Sequence, residues 1–201
     1  STRDVLAETL AELEEGFGGT ITSSGLSAIG LIANLLSADD HIILPHDCYG
    51  GTFRLFSMLH EKKALTAHFV NQNLLADLEK SIKRIKPKLI WIETPSNPLL
   101  QSVNIKEIVK LAKISKALVA ADNTFLSPAL QNPLSLGADI VMHSTTKYIN
   151  GHSDVIGGAV VVKTKKLHDQ IQEWANATGV AGAPFDSYLT LRGLRTLNLR
   201  M

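Results

Sequence analysis

Short apolar runs alternate with helical patterns along most of the chain, and this alternation restricts the fold more than any single residue does. The runs lie at Ile42-Leu44, Ala67-Val70, Leu89-Ile92, Ala117-Ala121 and Ile140-Met142. Between them, helical spacing of apolar residues recurs at Thr52-Leu59, Leu74-Ile85 and Ile105-Ser115. Strands and helices in alternation predict an α/β fold, a mostly parallel sheet with helices on both faces. Ligands of such sheets sit beyond the carboxyl ends of the strands. Ahead of this pattern, Val5, Leu6, Leu10 and Leu13 mark an amphipathic helix from Arg3 to Glu14, ended by Gly16-Phe17-Gly18-Gly19. A second helix, with a hydroxyl-rich start at Ser23-Ser24-Gly25, is predicted from Leu26 to Leu36. Gly157-Val162 reads as a further strand, Lys165 to Thr178 as a polar-faced helix, and Ser187 to Leu197 as a helix weakened by Gly193.

No repeat or Pro/Gly-rich linker divides the 201 residues, so one domain, or a large piece of a bigger protein, is the economical reading. Lys plus Arg number 20 and Asp plus Glu 19, a balance that gives no bulk electrostatic case for nucleic acid or an anionic membrane. The single cysteine, Cys48, excludes an internal disulfide. No apolar run approaches the roughly 20 residues that cross a bilayer, and no charged-then-apolar leader precedes the first helix. The expectation is a cytoplasmic protein without a membrane partner.

The residues that invite chemistry fall near strand ends. Lys147 follows the strand-like Ile140-Val141-Met142 in the run His143-Ser144-Thr145-Thr146-Lys147-Tyr148, an amine placed among hydroxyl groups suited to an anion. A lysine forms a Schiff base when burial or neighbouring positive charge disfavours its ammonium form; a solvated surface lysine is the ordinary alternative. Asp122 closes the apolar run Ala117-Ala121, where it could cap a turn with Asn123 or hold the proton on a cofactor's pyridine nitrogen. Ser23-Ser24-Gly25-Leu26 offers backbone amides at a helix start, either a plain N-cap or a phosphate site that Ser144 and Thr146 would complete. Tyr49, beyond Ile42-Leu44, could stack on a planar cofactor, with its phenol also available as a catalytic group for proton transfer, or be a partly buried loop residue. The consecutive His46-Asp47-Cys48 do not have the spacing of a metal site, and His143 and His152 read as hydrogen-bonded structural residues. The G-x-G-x-x-G, Walker and G-x-S-x-G patterns do not occur.

Five segments in order carry a resemblance. Ser24-Gly25-Leu26-Ser27-Ala28, His46-Asp47-Cys48-Tyr49-Gly50-Gly51, Glu93-Thr94-Pro95-Ser96-Asn97-Pro98, Asp122-Asn123-Thr124-Phe125 and Ser144-Thr145-Thr146-Lys147-Tyr148 are similar to successive motifs of the pyridoxal-phosphate enzymes of cysteine and methionine transsulfuration. The His46-Tyr49, Phe125-Pro133 and Phe185-Tyr188 segments look most like the bacterial cystathionine gamma-synthase branch. The resemblance implies the aspartate-aminotransferase-like fold, fold type I. It also implies roles: Lys147 as Schiff-base lysine and proton shuttle, Asp122 as pyridine partner, and Tyr49 as stacking ring. Ser24, Gly25, Leu26, Ser144 and Thr146 would then contact phosphate, and Asn97 would lie near cofactor and substrate. The implied reaction is gamma-replacement on an O-acyl-L-homoserine, with O-succinyl as the expected ester, L-cysteine as the incoming thiol and L-cystathionine as product. Sister activities, cystathionine gamma- or beta-lyase and methionine gamma-lyase, share the same lysine, and a binding domain that keeps only the fold is a more distant reading. The expected assembly is a homotetramer built from dimers with shared active sites. An N-terminal phosphate arm and a small C-terminal domain belong to the family pattern but not to this sequence. Residues 1–201 are therefore expected to be the large cofactor domain of a longer protein.

Overall fold

The structure is a computed structural model that describes residues 1–201. Seven strands and nine helices follow one another as α1 (Thr2–Leu13), β1 (Gly18–Thr22), α2 (Gly25–Ala33), β2 (His41–Pro45), α3 (Gly50–Glu61), β3 (Thr66–Val70), α4 (Leu75–Ile85) and β4 (Leu89–Glu93). They continue as α5 (Ile105–Ala112), β5 (Leu118–Asp122), α6 (Ser127–Leu130), β6 (Ile140–His143), β7 (Gly158–Val162), α7 (Lys165–Thr178), α8 (Pro184–Leu194) and α9 (Leu197–Arg200). Every apolar run read as a strand is one, extended by a residue at one or both ends or, at β5 and β7, begun one residue later.

The chain divides into two compact bodies, one made of Ser1–Leu35, Asn123–Ser135 and Asp139–Met201, the other of Leu36–Asp122 and Leu136–Ala138. In the second body the strands are all parallel: β3 beside β2, β2 beside β4, β4 beside β5. Five consecutive residues of β4 are buried. Since successive strand residues point to opposite faces, this requires cover on both. Leu78 and Ile82 of α4, Ile108 of α5 and Phe56 of α3 belong to its core.

The first body is mixed. Here β7 runs antiparallel to β1 on one side, Gly18 opposite Val162, and antiparallel to β6 on the other, Ile140 opposite Val162. Local pattern alone does not mark Gly18–Thr22 as a strand, because two glycines and two threonines around one isoleucine show no apolar run. Its partner β7 lies far along the chain, and only that pairing makes it a strand. Packing of α2 is against α7, β6 and β7, and α1 packs against α8 and β1. Ser1 caps α1 with a capping box to Asp4, and α7 ends at Gly179 in the left-handed conformation. No helix is long and apolar enough to cross a membrane.

Candidate active site

The first body carries two adjoining segments of the site. Ser24 caps α2, its hydroxyl accepting the Ser27 N–H at 3.1 Å, and the Ser27 hydroxyl lies 2.9 Å from that of Ser24 and 3.1 Å from that of Ser23. Gly25 and Leu26 present their amides at the head of the helix, where no intrahelical acceptor exists and the dipole favours an anion. The loop after β6 lies against this helix start. A Cβ at Gly25 would stand 2.8 Å from Ser144 Cβ and 3.0 Å from its Oγ, so glycine alone permits the approach. A helix N-terminus is thereby brought beside a serine hydroxyl three residues before the lysine. Ser144 is itself fixed by its amide, which donates to Thr124 Oγ1 at 2.8 Å. The Thr146 hydroxyl donates to Gly157 O at 3.2 Å and accepts the Gly157 N–H at 3.0 Å. It anchors the loop to the residue before β7.

Lys147 rides on a turn whose neighbours Thr145, Ile149 and Asn150 point inward and are buried, which leaves Lys147 itself exposed. Burial, one of the two influences named for a Schiff-base lysine, is therefore not supplied to Lys147 by this turn. The turn is held from behind. Asn150 N–H donates to Thr145 O at 2.9 Å and Gly151 N–H to Lys147 O at 2.8 Å. The Arg200 guanidinium donates to Tyr148 O at 2.6 Å and to Gly193 O at 2.7 Å. A Cβ on Gly193 would fall 2.1 Å from Asn150 O, so the glycine that weakens α8 is what lets the helix touch the lysine turn.

Directly before Ser144, His143 and Glu14 form a fully buried pair, Nε2 to Oε1 at 2.6 Å. The Asn123 side-chain amide donates to the same Glu14 oxygen at 2.8 Å and to Gln131 O at 2.7 Å. His143 is thus the hydrogen-bonded structural residue expected, and His152 is another, its Nδ1 lying 2.7 Å from Asn150 O.

The second body brings together Tyr49, Asn97 and Asp122 through a residue that sequence reasoning passed over. Asp122 ends β5 and Glu93 ends β4, and the two are register partners, both buried. Glu93 Oε2 accepts the Tyr49 N–H at 2.7 Å, and Oε1 accepts the Asn97 N–H at 2.9 Å. A second tie joins the same loops, the Ser96 hydroxyl donating to Asp47. Tyr49 stands at the head of α3, 43% exposed, and Asn97 is exposed as well. Burial, then the Asp122 charge, push the Glu93 carboxyl up to about 7. Burial, then Glu93 and Asp47, push the Cys48 thiol up to about 12, which keeps it protonated and unreactive. Carboxylates gathered at two strand ends favour a cation there. A signal for Glu93 was available: it is an acid that continues the apolar run Leu89-Ile92, as Asp122 continues its own.

Each body thus offers part of what pyridoxal phosphate requires. The head of α2, where a Cβ at Gly25 would run into Ser144 of the Lys147 loop, could take its phosphate, and the buried Asp122 carboxylate at the end of β5 could accept a ring N–H. The residues present fit that group. The fold is that of the fold type I pyridoxal-phosphate enzymes. Within that class, a family model described as Cys/Met metabolism PLP-dependent enzyme matches residues 1–201, and the chain belongs to this family.

Cystathionine gamma-synthase of Escherichia coli (strain K12) is 51% identical over 201 residues, covering 100% of this chain and 52% of the relative. Cystathionine beta-lyase of Lactococcus lactis subsp. cremoris (strain MG1363) is 48% identical over 200 residues, again 100% of this chain and 52% of the relative. Among solved structures, cystathionine gamma synthase from Xanthomonas oryzae pv. oryzae in complex with cystathionine is 53% identical with a TM-score of 0.97, over 98% of this chain and 51% of that one. The chain spans about half the length of the relatives it matches.

Proposed function

We propose that the whole protein carries out gamma-replacement, converting an O-acyl-L-homoserine, the O-succinyl ester in our reading, and L-cysteine to L-cystathionine. The observation that carries the cofactor part is the contact of Gly25 with Ser144, which sets a helix N-terminus against a hydroxyl on the lysine loop. The reaction part is supported by similarity to the cystathionine-bound synthase at 53% identity. In this reading Gly25, Leu26, Ser24, Ser144 and Thr146 hold the phosphate, Lys147 holds the aldehyde end, Asp122 the ring nitrogen, Tyr49 stacks on the ring and Asn97 borders it. Bound there, pyridoxal phosphate supplies an electron sink that makes the substrate's α proton acidic. The Lys147 amine would take the α proton and one proton from Cβ, and would return a proton to each carbon before product leaves. Between those transfers the acyloxy group would leave Cγ as the carboxylate, and the cysteine thiol, giving up its proton, would add at that carbon. The remaining residues orient the amino acid and the ring so that these transfers occur in place.

A second reading is favoured by the 48% identity to the beta-lyase and by the 46% identical structure of cystathionine gamma-lyase from Lactobacillus plantarum complexed with L-serine. Full-length enzyme given O-succinyl-L-homoserine and cysteine is expected to release cystathionine. Release of homocysteine or cysteine from cystathionine alone, with no synthesis, would make it a lyase. Borohydride reduction of the holoenzyme followed by peptide mapping is expected to place the pyridoxyl group on Lys147. We also place the protein in the cytoplasm as a homotetramer of dimers that share active sites. Large exposed apolar residues in the first body support that assembly, Phe185, Tyr188, Ile156 and Leu199 among them, and sedimentation of the full-length protein tests it.

A further inference from the structure

Glu93 is a carboxylate that the proposed reaction does not use. It is 7% exposed, and both its oxygens are spent on backbone amides of two different loops. One amide belongs to Tyr49, at the head of α3; the other belongs to Asn97, between the prolines Pro95 and Pro98. These loops are separated by α3, β3, α4 and β4, and no other side chain receives an N–H from both Tyr49 and Asn97.

We propose that Glu93 is a positioning residue, a brace whose two oxygens set the Tyr49 and Asn97 loops at one spacing next to Asp122. The inference rests on the reading that Tyr49, Asn97 and Asp122 border pyridoxal phosphate, and it adds a residue to the residues assigned there. The need for a carboxylate follows from counting acceptors. Here each N–H, arriving from its own loop, meets its own oxygen of one planar group, a placement that a carboxylate provides and a carboxamide, with one oxygen, does not. A glutamine would keep one bond and turn a donor toward the other N–H, leaving a buried donor without a partner. Aspartate, one methylene shorter, would reach one loop and lose the other. Charge-assisted bonds to backbone amides are also the stronger kind, so the brace holds the loop backbones even though Tyr49 and Asn97 are exposed. Its register partner is Asp122, so the same strand pairing that places the ring-nitrogen carboxylate places the brace. The Ser96 hydroxyl on Asp47 keeps the loops adjacent without fixing these two amides.

The test uses full-length protein at about pH 8, where a carboxyl raised to about 7 is mostly ionised. Amide exchange is followed in the cofactor-free protein over the segments holding Tyr49 and Asn97, and pyridoxal phosphate affinity is measured by titrating the visible absorption. In Glu93→Gln, exchange is expected to rise about tenfold in at least one of the two segments, the loss of about 1.4 kcal/mol in local opening, and cofactor affinity to fall with it. Native exchange in both segments overturns the brace, whatever the affinity does. Should Glu93→Gln not fold, Glu93→Asp carries the same test, with one segment released and native exchange in both again the overturning result. The underlying site is judged separately by Asp122→Asn: unchanged affinity there refutes the cofactor reading and leaves the brace to the exchange measurement.

Discussion

At Glu93 two influences on one carboxyl group oppose each other. Two backbone N–H bonds favour its charged form, while burial and the Asp122 charge disfavour it, and the second pair prevails, since the group stands at about 7 against an ordinary 4.5. The folded chain therefore holds this proton more tightly than the unfolded chain. Its contribution to stability is complete below 4.5 and disappears as pH rises through 7, at most on the order of 3 kcal/mol. The urea midpoint of the cofactor-free protein is expected to fall from about pH 5 to about pH 8 more steeply in the native protein than in Glu93→Gln; parallel slopes would contradict this. A second residue-scale expectation concerns Gly25, where an alanine Cβ would stand 2.8 Å from Ser144 Cβ. Gly25→Ala should displace the lysine loop and cost about 1–3 kcal/mol, measured as a lower midpoint together with weaker binding of pyridoxal phosphate. Asp122 drew notice as a charged residue at the end of an apolar run, and Lys147 as an amine among hydroxyl groups in the loop that follows one. Glu93 was equally placed, but its importance comes from two amides in other loops, which no local pattern announces.

The elements hold the site mainly through contacts made behind it. The lysine turn rests on α8 and α9, where Arg200 donates to the carbonyls of Tyr148 and Gly193. In the sequence, Gly193 looks like a flaw in a helix, yet packing requires it: a Cβ would sit 2.1 Å from Asn150 O. Arg200→Ala removes the guanidinium from Tyr148 O and from Gly193 O, which keeps the Thr196 N–H, and should cost about 1–3 kcal/mol, with faster exchange at Gly151 as the local readout. The buried Glu14 and His143 join the C-terminus of α1 to the end of β6. Removing His143 leaves the buried Glu14 with only the Asn123 amide, so His143→Leu is expected to lose about 1–3 kcal/mol in denaturant unfolding, whereas an unchanged midpoint would mean that the bond is not made in solution. The parallel strands were legible because cover on both faces demands unbroken apolar runs. Gly18–Thr22 was not, since its strand character comes from β7, and β7 could be read as a strand but not as an antiparallel one.

On the scale of the whole molecule, the chain spans about half the length of the relatives it matches. We expect those residues, prepared alone, to bind pyridoxal phosphate weakly and to form little cystathionine, while a polypeptide of the relatives' length does both; rapid steady-state synthesis by the isolated residues would overturn this. The two bodies also differ in how the chain assembles them. Leu36–Asp122 is a single stretch holding β2, β3, β4 and β5, whereas Gly18 must wait for Val162 before β1 has a partner. During synthesis the second body can close as soon as its last strand leaves the ribosome, with Ile21 of the unfinished first body still unpaired. Nascent chains arrested with Ala138 just emerged from the ribosome should already shield β4 from protease, and shielding of Gly18–Thr22 should begin only once Val162 has emerged.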